Sequence, residues 1–393
     1  MGKNPIASIP FKILKMCGLW RPVSFTGWKV IVYNVYSCIV FITLVTIAIF
    51  VLLAVCAIPF THELFAETVF LMFALFNATF KATNILISRK RFLLMLDMLQ
   101  EDNWRELNNT EEIRIQEKYL NTSRNISKYF TIAVFIAIVL RCVAPLLDTS
   151  GSGPQLPVLA FCPCDITSKR CYWILYWHQA IGTGVATLTH AAKDCLINAL
   201  LLQTCAQLDI LKVRIRRIPE ICEEARICKD PSHRIIALEK KLISACVKDH
   251  QSIFELARVL NESLEVMLFG QIAVTLPNLC LSIFLLSKTP IASIDFMMTV
   301  QFFSAVVIEL FFFCWYGNEV TLHSLDVETA VNEMNWETLS VPSRKDLIML
   351  MVRTSRPILF RVGPIMNMNV VSFLSIMKSS YSAFSVLQST GDP

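Results

Sequence analysis

Ionisable side chains set inside long apolar runs are the residues of this sequence that could do chemistry. Lys81 and Arg141 each stand in such a run, Glu309 and Lys378 stand in two later ones, and His178, His190, Lys193 and Asp194 share another. A charge in hydrocarbon is costly, so each must be paired, hydrated or held at a membrane edge. A line of such groups could relay protons. Pairing between helices is the simpler use, and Glu309 is expected to face Lys193 or Lys378 and not lipid. Arg141 and His178 lie near run ends, where snorkelling or hydration lowers the cost. No paired Asp or His/Glu spacing accompanies them at membrane depth, so an enzyme is not expected. The 14 cysteines are scattered without zinc-ligand spacing, so neither a metal site nor a cofactor is expected.

The elements that must position these groups are membrane helices. Of 393 residues, 54% are hydrophobic and only 17% charged, against about a quarter charged in soluble domains. Runs of about 20 apolar residues cross a bilayer as helices. The expected spans lie at about 34–58, 68–88, 129–147, 173–204, 266–287, 296–316 and 364–387. The fold class is therefore all-α integral membrane, one seven-helix domain over 1–393. The first run is too long for a cleavable signal and is expected to act as a signal-anchor.

Lys and Arg set the direction. Of 36 such residues, 29 fall on one side of seven alternating spans and three on the other. This puts the N-terminus in the cytoplasm, inverted relative to G-protein-coupled receptors, and no G protein is required. A net charge of +5 implies no nucleic-acid partner. The outer loop 148–172 is rich in Gly, Pro and Ser and is expected to be irregular. Its Cys162, Cys164 and Cys171 are candidates for one disulfide, with Cys142 as a further partner. Apolar residues of the inner loop 205–265 recur at helical spacing, which continues spans four and five as helices beyond the membrane. Residues 346–360 (DLIMLMVRTSRPILF) read as a further amphipathic helix closed by Arg356-Pro357.

The last 80 residues carry a specific pattern. It runs Phe313-Cys314-Trp315-Tyr316-Gly317-Asn318-Glu319, then Trp336, Arg344-Lys345-Asp346-Leu347, Arg353-Thr354-Ser355-Arg356-Pro357 and Asn367-Met368-Asn369. It closes on Lys378-Ser379-Ser380-Tyr381-Ser382-Ala383-Phe384. This order resembles the C-terminal signature of insect odorant receptors, with Ser385 where the family usually has Thr. Length, inverted topology and loop proportions agree along the whole chain. The second inner loop lacks the large insertion of the olfactory co-receptor, which points to a ligand-tuned subunit.

The resemblance implies a ligand-gated cation channel, a heteromeric tetramer with the co-receptor in the plasma membrane of a sensory neuron dendrite. It places a small, mostly apolar volatile among the outer halves of helices two to six. Onto this sequence that maps Phe73, Phe76, Asn77, Ile138, Arg141, Trp177, His178, Ile181, Gln301 and Phe302, with Phe70 beside them. It also assigns the pore to the seventh helix. Ser380 and Gln388 suit a wetted wall there, and Phe384 and Leu387 a hydrophobic gate that closes by dewetting. Two alternatives are weaker. Gustatory-type receptor channels share the topology but end on a different motif. A secondary transporter is supported only by the polar fourth span, with no inverted repeat.

Overall fold

The computed structural model describes all residues except 1–5, 60–63, 100–108, 148–154, 229–230, 292, 364–365 and 392–393, and no side chain at 147, 294–295, 387 or 389–391. Helices dominate it: α1 (Ser8–Met16), α2 (Trp28–Ala57), α3 (Leu64–Ile87), α4 (Arg89–Met98), α5 (Thr110–Leu147), α6 (Lys169–Ile227), α7 (Ser232–Lys288) and α8 (Ile294–Glu333). After a single 3-10 turn come α9 (Val341–Thr354), strands β1 (Arg361–Val362) and β2 (Met366–Asn367), and α10 (Val370–Gly391).

Among the described residues, six helices, α2, α3, α5, α6, α7 and α8, are long and apolar enough to cross a bilayer. At 1.5 Å per residue, α6 and α7 run about 85 Å, nearly three times the hydrocarbon thickness. Their lower halves therefore continue past the membrane, as the periodicity of 205–265 requires. The segment between the second and third spans, taken as loop in the sequence, is largely helical too. It holds α4, and α5 already begins at Thr110, well before the expected position 129. Its first turn carries Glu111 and Glu112, which favour a helix start.

The centre of the bundle is α6, packed against α1, α2, α3, α5, α7 and α8. Its crossing stretch is 89% buried, against 6% for that of α5. Small residues make this possible. A Cβ on Gly182 would lie 3.0 Å from Ile47 Cγ2 of α2, so α2 and α6 touch backbone to side chain there.

Two boundaries at the C-terminal end differ from the sequence reading. The amphipathic helix is α9, which stops at Thr354; Ser355 and Arg356 turn the chain out of the helix and 357–360 carry no regular structure, as Pro357 disfavours helix before it. The seventh helix begins at Val370, because β1 and β2 form an antiparallel hairpin pairing Arg361 with Asn367 and Val362 with Met366. Gly363 turns this hairpin at φ +56, and Gly317 of α8 admits its far side. A Cβ at Gly317 would meet Met368 Cβ at 2.6 Å. The hairpin thus seats the start of α10 on α8.

Of the loop expected at 148–172, residues 155–168 are irregular, 169–172 already belong to α6, and 148–154 lie outside the described residues. It lies across the bundle end, through Val158 N donating to Gln179 Oε1 (3.1 Å) and Phe161 N to the Phe50 carbonyl (2.9 Å). Cys164 and Cys171 form the disulfide, and Cys162 and Cys142 are free thiols.

Candidate functional site

An ionic centre ties four helices together in the middle of the bundle. Lys81 Nζ of α3 lies 2.6 Å from Asp194 Oδ1 of α6 and 2.6 Å from Glu309 Oε1 of α8. His190 shares a face of α6 with Asp194, four residues on. Its Nε2 is 2.8 Å from Glu309 Oε2 and 3.3 Å from Asp194 Oδ2. Gln271 of α7 donates to Glu309 Oε1 at 2.9 Å. Lys81, Asp194 and Glu309 are all buried. Two carboxylates in hydrocarbon would repel and desolvate at high cost; one ammonium bridging both, with two further donors, offsets that.

Glu309 therefore faces inward as expected, but its partner is Lys81, not Lys193 or Lys378. Lys193 is one residue from Asp194, about 100° round the helix, and donates to Asn84 Oδ1. Lys378 is exposed on α10. A depth count held the missed signal: measured from the outer ends of the expected spans, 68 and 296, Lys81 and Glu309 lie equally deep. His190, Asp194 and Glu309 bring donor atoms within 4.8 Å of one another, a composition that could ligate a metal. The Lys81 ammonium sits at ion-pair distance from both carboxylates and supplies that positive charge. Beside Glu309 a cavity of about 10 Å³ is lined by Gln271, Thr275, Leu310, Phe313 and Met368, roughly the room of one water.

Toward the disulfide end lies an apolar wall. Phe70, Phe73 and Asn77 share a face of α3 at helical spacing above Lys81. The Phe70 ring meets Phe302 of α8 at 4.3 Å, nearly edge-on. Gln301 Nε2 donates to the Ala133 carbonyl of α5 at 3.1 Å. Ile138 packs where a Cβ on Gly184 of α6 would be 3.7 Å away. Asn77 is buried and its Oδ1 has no partner, which leaves a polar atom available to a ligand hydroxyl or water.

The other expected ligand residues lie elsewhere. His178 turns toward α2, with Nε2 2.9 Å from Thr46 Oγ1 and its ring 5.6 Å from Phe50. Trp177, Ile181 and Phe76 are exposed on the bundle surface, at 58%, 53% and 46%. Arg141 is half-buried. On α10, Ser380 is buried against its own chain and donates to the Ile376 carbonyl at 3.0 Å. Phe384 is half-buried with its ring 6.3 Å from Tyr381. Gln388 is exposed, and the Leu387 side chain lies outside the described residues. The exposed face of α10 carries Val371, Leu374, Lys378, Ser379, Tyr381 and Ser382.

At the far end, beyond the membrane-crossing stretch, a second polar hub joins α5, α6 and α8. Asp209 accepts from Tyr119 Oη at 2.8 Å, lies 2.6 Å from His323 Nδ1, and pairs with Lys212 at 2.8 Å. Burial alone would raise its carboxyl; the donors from His323 and Lys212 outweigh that and hold it well below the usual carboxylate range. Arg214 bridges Glu112 (3.0 Å) and Asp249 (2.8 Å) nearby. These pairings were not foreseen, because each needs the relative rotation of separate helices.

Comparison with known proteins agrees along the chain. A family model described as 7tm odorant receptor matches residues 61–381. The chain is similar to odorant receptor 33a of Drosophila melanogaster, 26% identical with 72% of each chain covered. It is similar to odorant receptor 46a, isoform A, of the same fly, 24% identical over 95% of each. Odorant receptor Or2 of Anopheles gambiae is 25% identical, with 80% of this chain and 81% of that one covered. Among solved structures, the olfactory receptor OR5 of Machilis hrabei in complex with eugenol superposes with a TM-score of 0.81 at 14% identity. It covers 98% of this chain and 97% of that one. The shared fold is a seven-helix membrane bundle, in which α10 follows the six apolar helices as the seventh.

Proposed function

The chain belongs to the 7tm odorant receptor family, and from that premise we propose that it is the ligand-tuned subunit of an odorant-gated cation channel. Receptors of this family are not enzymes, and the ionic centre serves structure and not turnover. The observation that carries the ligand reading is the wall formed by Phe70, Phe73, Asn77, Gln301 and Phe302. It is aromatic on α3 and α8, it contains one buried amide oxygen without a partner, and the ionic centre closes it below. Such a wall suits a small, mostly apolar volatile with one hydrogen-bonding group. On this reading Ile138, packed at Gly184 of α6, and Arg141 contribute from α5. Trp177, His178, Ile181 and Phe76 lie off this wall and are at most secondary to it.

The same reading puts the N-terminus in the cytoplasm. It is supported by the 29 to 3 division of basic residues and by the disulfide on the side assigned to the exterior. The partner is a co-receptor subunit in a tetramer, at the plasma membrane of a sensory dendrite. The pore runs along α10, with Phe384, Leu387 and Gln388 at the wall or gate, while Ser380 faces the interior of its own bundle. The solved OR5 of Machilis hrabei is in complex with eugenol, a phenol of the expected size class; that ligand is its own.

Whole-cell recording tests the proposal. Cells expressing this chain with an olfactory co-receptor should show odorant-evoked cation current, and cells lacking either subunit should show less or none. Robust solute uptake with no evoked current would favour the transporter reading.

A further inference from the structure

At the end of α3 opposite Phe70, the N-terminal segment folds against the α3–α4 corner. No Asp or Glu occurs before Glu63, while Lys12, Lys15, Arg21 and Lys29 fall in that stretch. The structure brings Arg89-Lys90-Arg91, the start of α4, to the same place. Arg89 Nη2 donates to the Arg21 carbonyl at 2.9 Å, and its guanidinium stacks 5.6 Å from the Trp20 ring. Arg21 Nη1 donates to Asn34 Oδ1 at 3.2 Å. These partners of the two guanidiniums are all uncharged.

Holding two arginines together without an anion is unfavourable. Burial and the neighbouring Arg21 charge both lower the Arg89 pKa. Arg89 Nε is buried and has no partner. Ser88 makes no side-chain cap on α4, so its first amides also lack one. The arrangement persists because α1 is clamped onto α2. Tyr33 Oη donates to the Lys15 carbonyl at 3.0 Å, and the turn at Gly18, φ +72, packs so closely on α2 that a Cβ there would lie 3.1 Å from Ser37 Cα.

The flank of this basic corner is apolar. Trp28, Ile31, Val32, Val35, Ile39 and Ile42 of α2 are all exposed, at 42% or more. Trp and basic side chains beside a bare aliphatic stripe describe a membrane boundary. A charge-complementary occupant has one anionic head for the arginines and hydrocarbon for the stripe. We propose that Arg21 and Arg89 form a site for the phosphate of an anionic glycerophospholipid, whose acyl chains lie along the exposed face of α2. This rests on the cytoplasmic N-terminus proposed above, since anionic lipid is concentrated in that leaflet. The bound lipid would fasten α1 and the α3–α4 corner to the bilayer surface.

The full chain in detergent, mixed with dioleoylphosphatidylserine or dioleoylphosphatidylcholine, tests the site by native mass spectrometry. Binding in detergent does not depend on membrane orientation, so its failure is separate from failure of the topology. The serine lipid should be retained preferentially, and R21Q/R89Q should weaken that retention about ten-fold, erasing most of its margin over the choline lipid, whose phosphate is offset by its own ammonium. R21K/R89K should keep most of it. Should the Gln variant not fold, a phosphatidylserine with a photoreactive headgroup is applied to wild type, where adducts should map to 17–34 and 88–92. Adducts confined to other regions, or undiminished retention by a folded R21Q/R89Q, overturn the proposal. Equal binding of inorganic phosphate without lipid overturns it too, because the site would then serve a soluble anion.

Discussion

Lys81 Nζ on α3 and Glu309 Oε1 on α8 stand 2.6 Å apart, although 228 residues separate them in the chain. With Asp194 at the same distance on the other side, Lys81 is the cation that makes two buried carboxylates tolerable. Replacing it by Met leaves those carboxylates facing each other without neutralisation. The expected cost is about 3–5 kcal/mol, read as loss of monodisperse protein and a lower melting temperature in detergent. The triple variant Lys81→Met, Asp194→Asn, Glu309→Gln should recover much of that loss. A wild-type melting temperature for the single variant would show the ions to be uncoupled.

The ligand wall makes a directional claim among residues that the sequence alone ranked together. Phe302 touches Phe70 within the bundle, whereas Trp177 is 58% exposed. Phe302→Ala should raise the half-maximal odorant concentration by about ten-fold or more, from ~1–3 kcal/mol of lost apolar contact. Trp177→Ala should move it much less. Dose–response currents with the co-receptor measure both, and a larger effect at Trp177 would move the ligand to the outer face of α6.

Asn77 sharpens the chemistry expected of the ligand. Its Oδ1 is buried and unpartnered, so a ligand hydroxyl that reaches it gains a hydrogen bond worth about 1 kcal/mol. Asn77→Leu should narrow the potency gap between an alcohol and its matched hydrocarbon. An unchanged ratio in the variant would mean the amide does not meet the ligand.

Gly317 is the position where the hairpin before α10 docks on α8. A Cβ there would fall 2.6 Å from Met368 Cβ, so Gly317→Ala must push the hairpin outward. The expected destabilisation is about 1–3 kcal/mol, and because the hairpin seats α10, evoked current should fall more than surface expression does. Surface biotinylation beside current recording separates the two. Equal losses would reduce the contact to simple packing.

The disulfide predicts a selective pattern among four cysteines. Cys164 and Cys171 are joined, while Cys162 and Cys142 are free. Closing so short a loop stabilises by about 2 kcal/mol. Cys164→Ser, Cys171→Ser and the double variant should therefore melt alike and below wild type, with reductant mimicking them. Cys162→Ser and Cys142→Ser should be silent.

Much of the architecture was legible before any coordinates. Burial in lipid is a property of each segment taken alone, so runs such as 34–58 and 296–316 announce themselves through composition. The same local logic extended α6 and α7 beyond the membrane and marked 148–172 as irregular, overrunning the first four residues of α6. Pro357 foretold a helix break, though not that the chain would then form a hairpin and delay α10 to Val370. The early start of α5 was missed because a polar amphipathic helix differs little in composition from a loop.

What the sequence determined by itself, then, was which segments enter the bilayer, which ions must be neutralised there, and which family pattern closes the chain. Only the tertiary structure decided the partners: Lys81 and not Lys193 for Glu309, Cys171 for Cys164, α2 for His178, and the bundle interior for Ser380. The physical reason is that hydropathy and charge count are sums along the chain. A contact depends instead on the rotation and depth of two helices at once, and those are set by close packing around Gly182, Gly184 and Gly317.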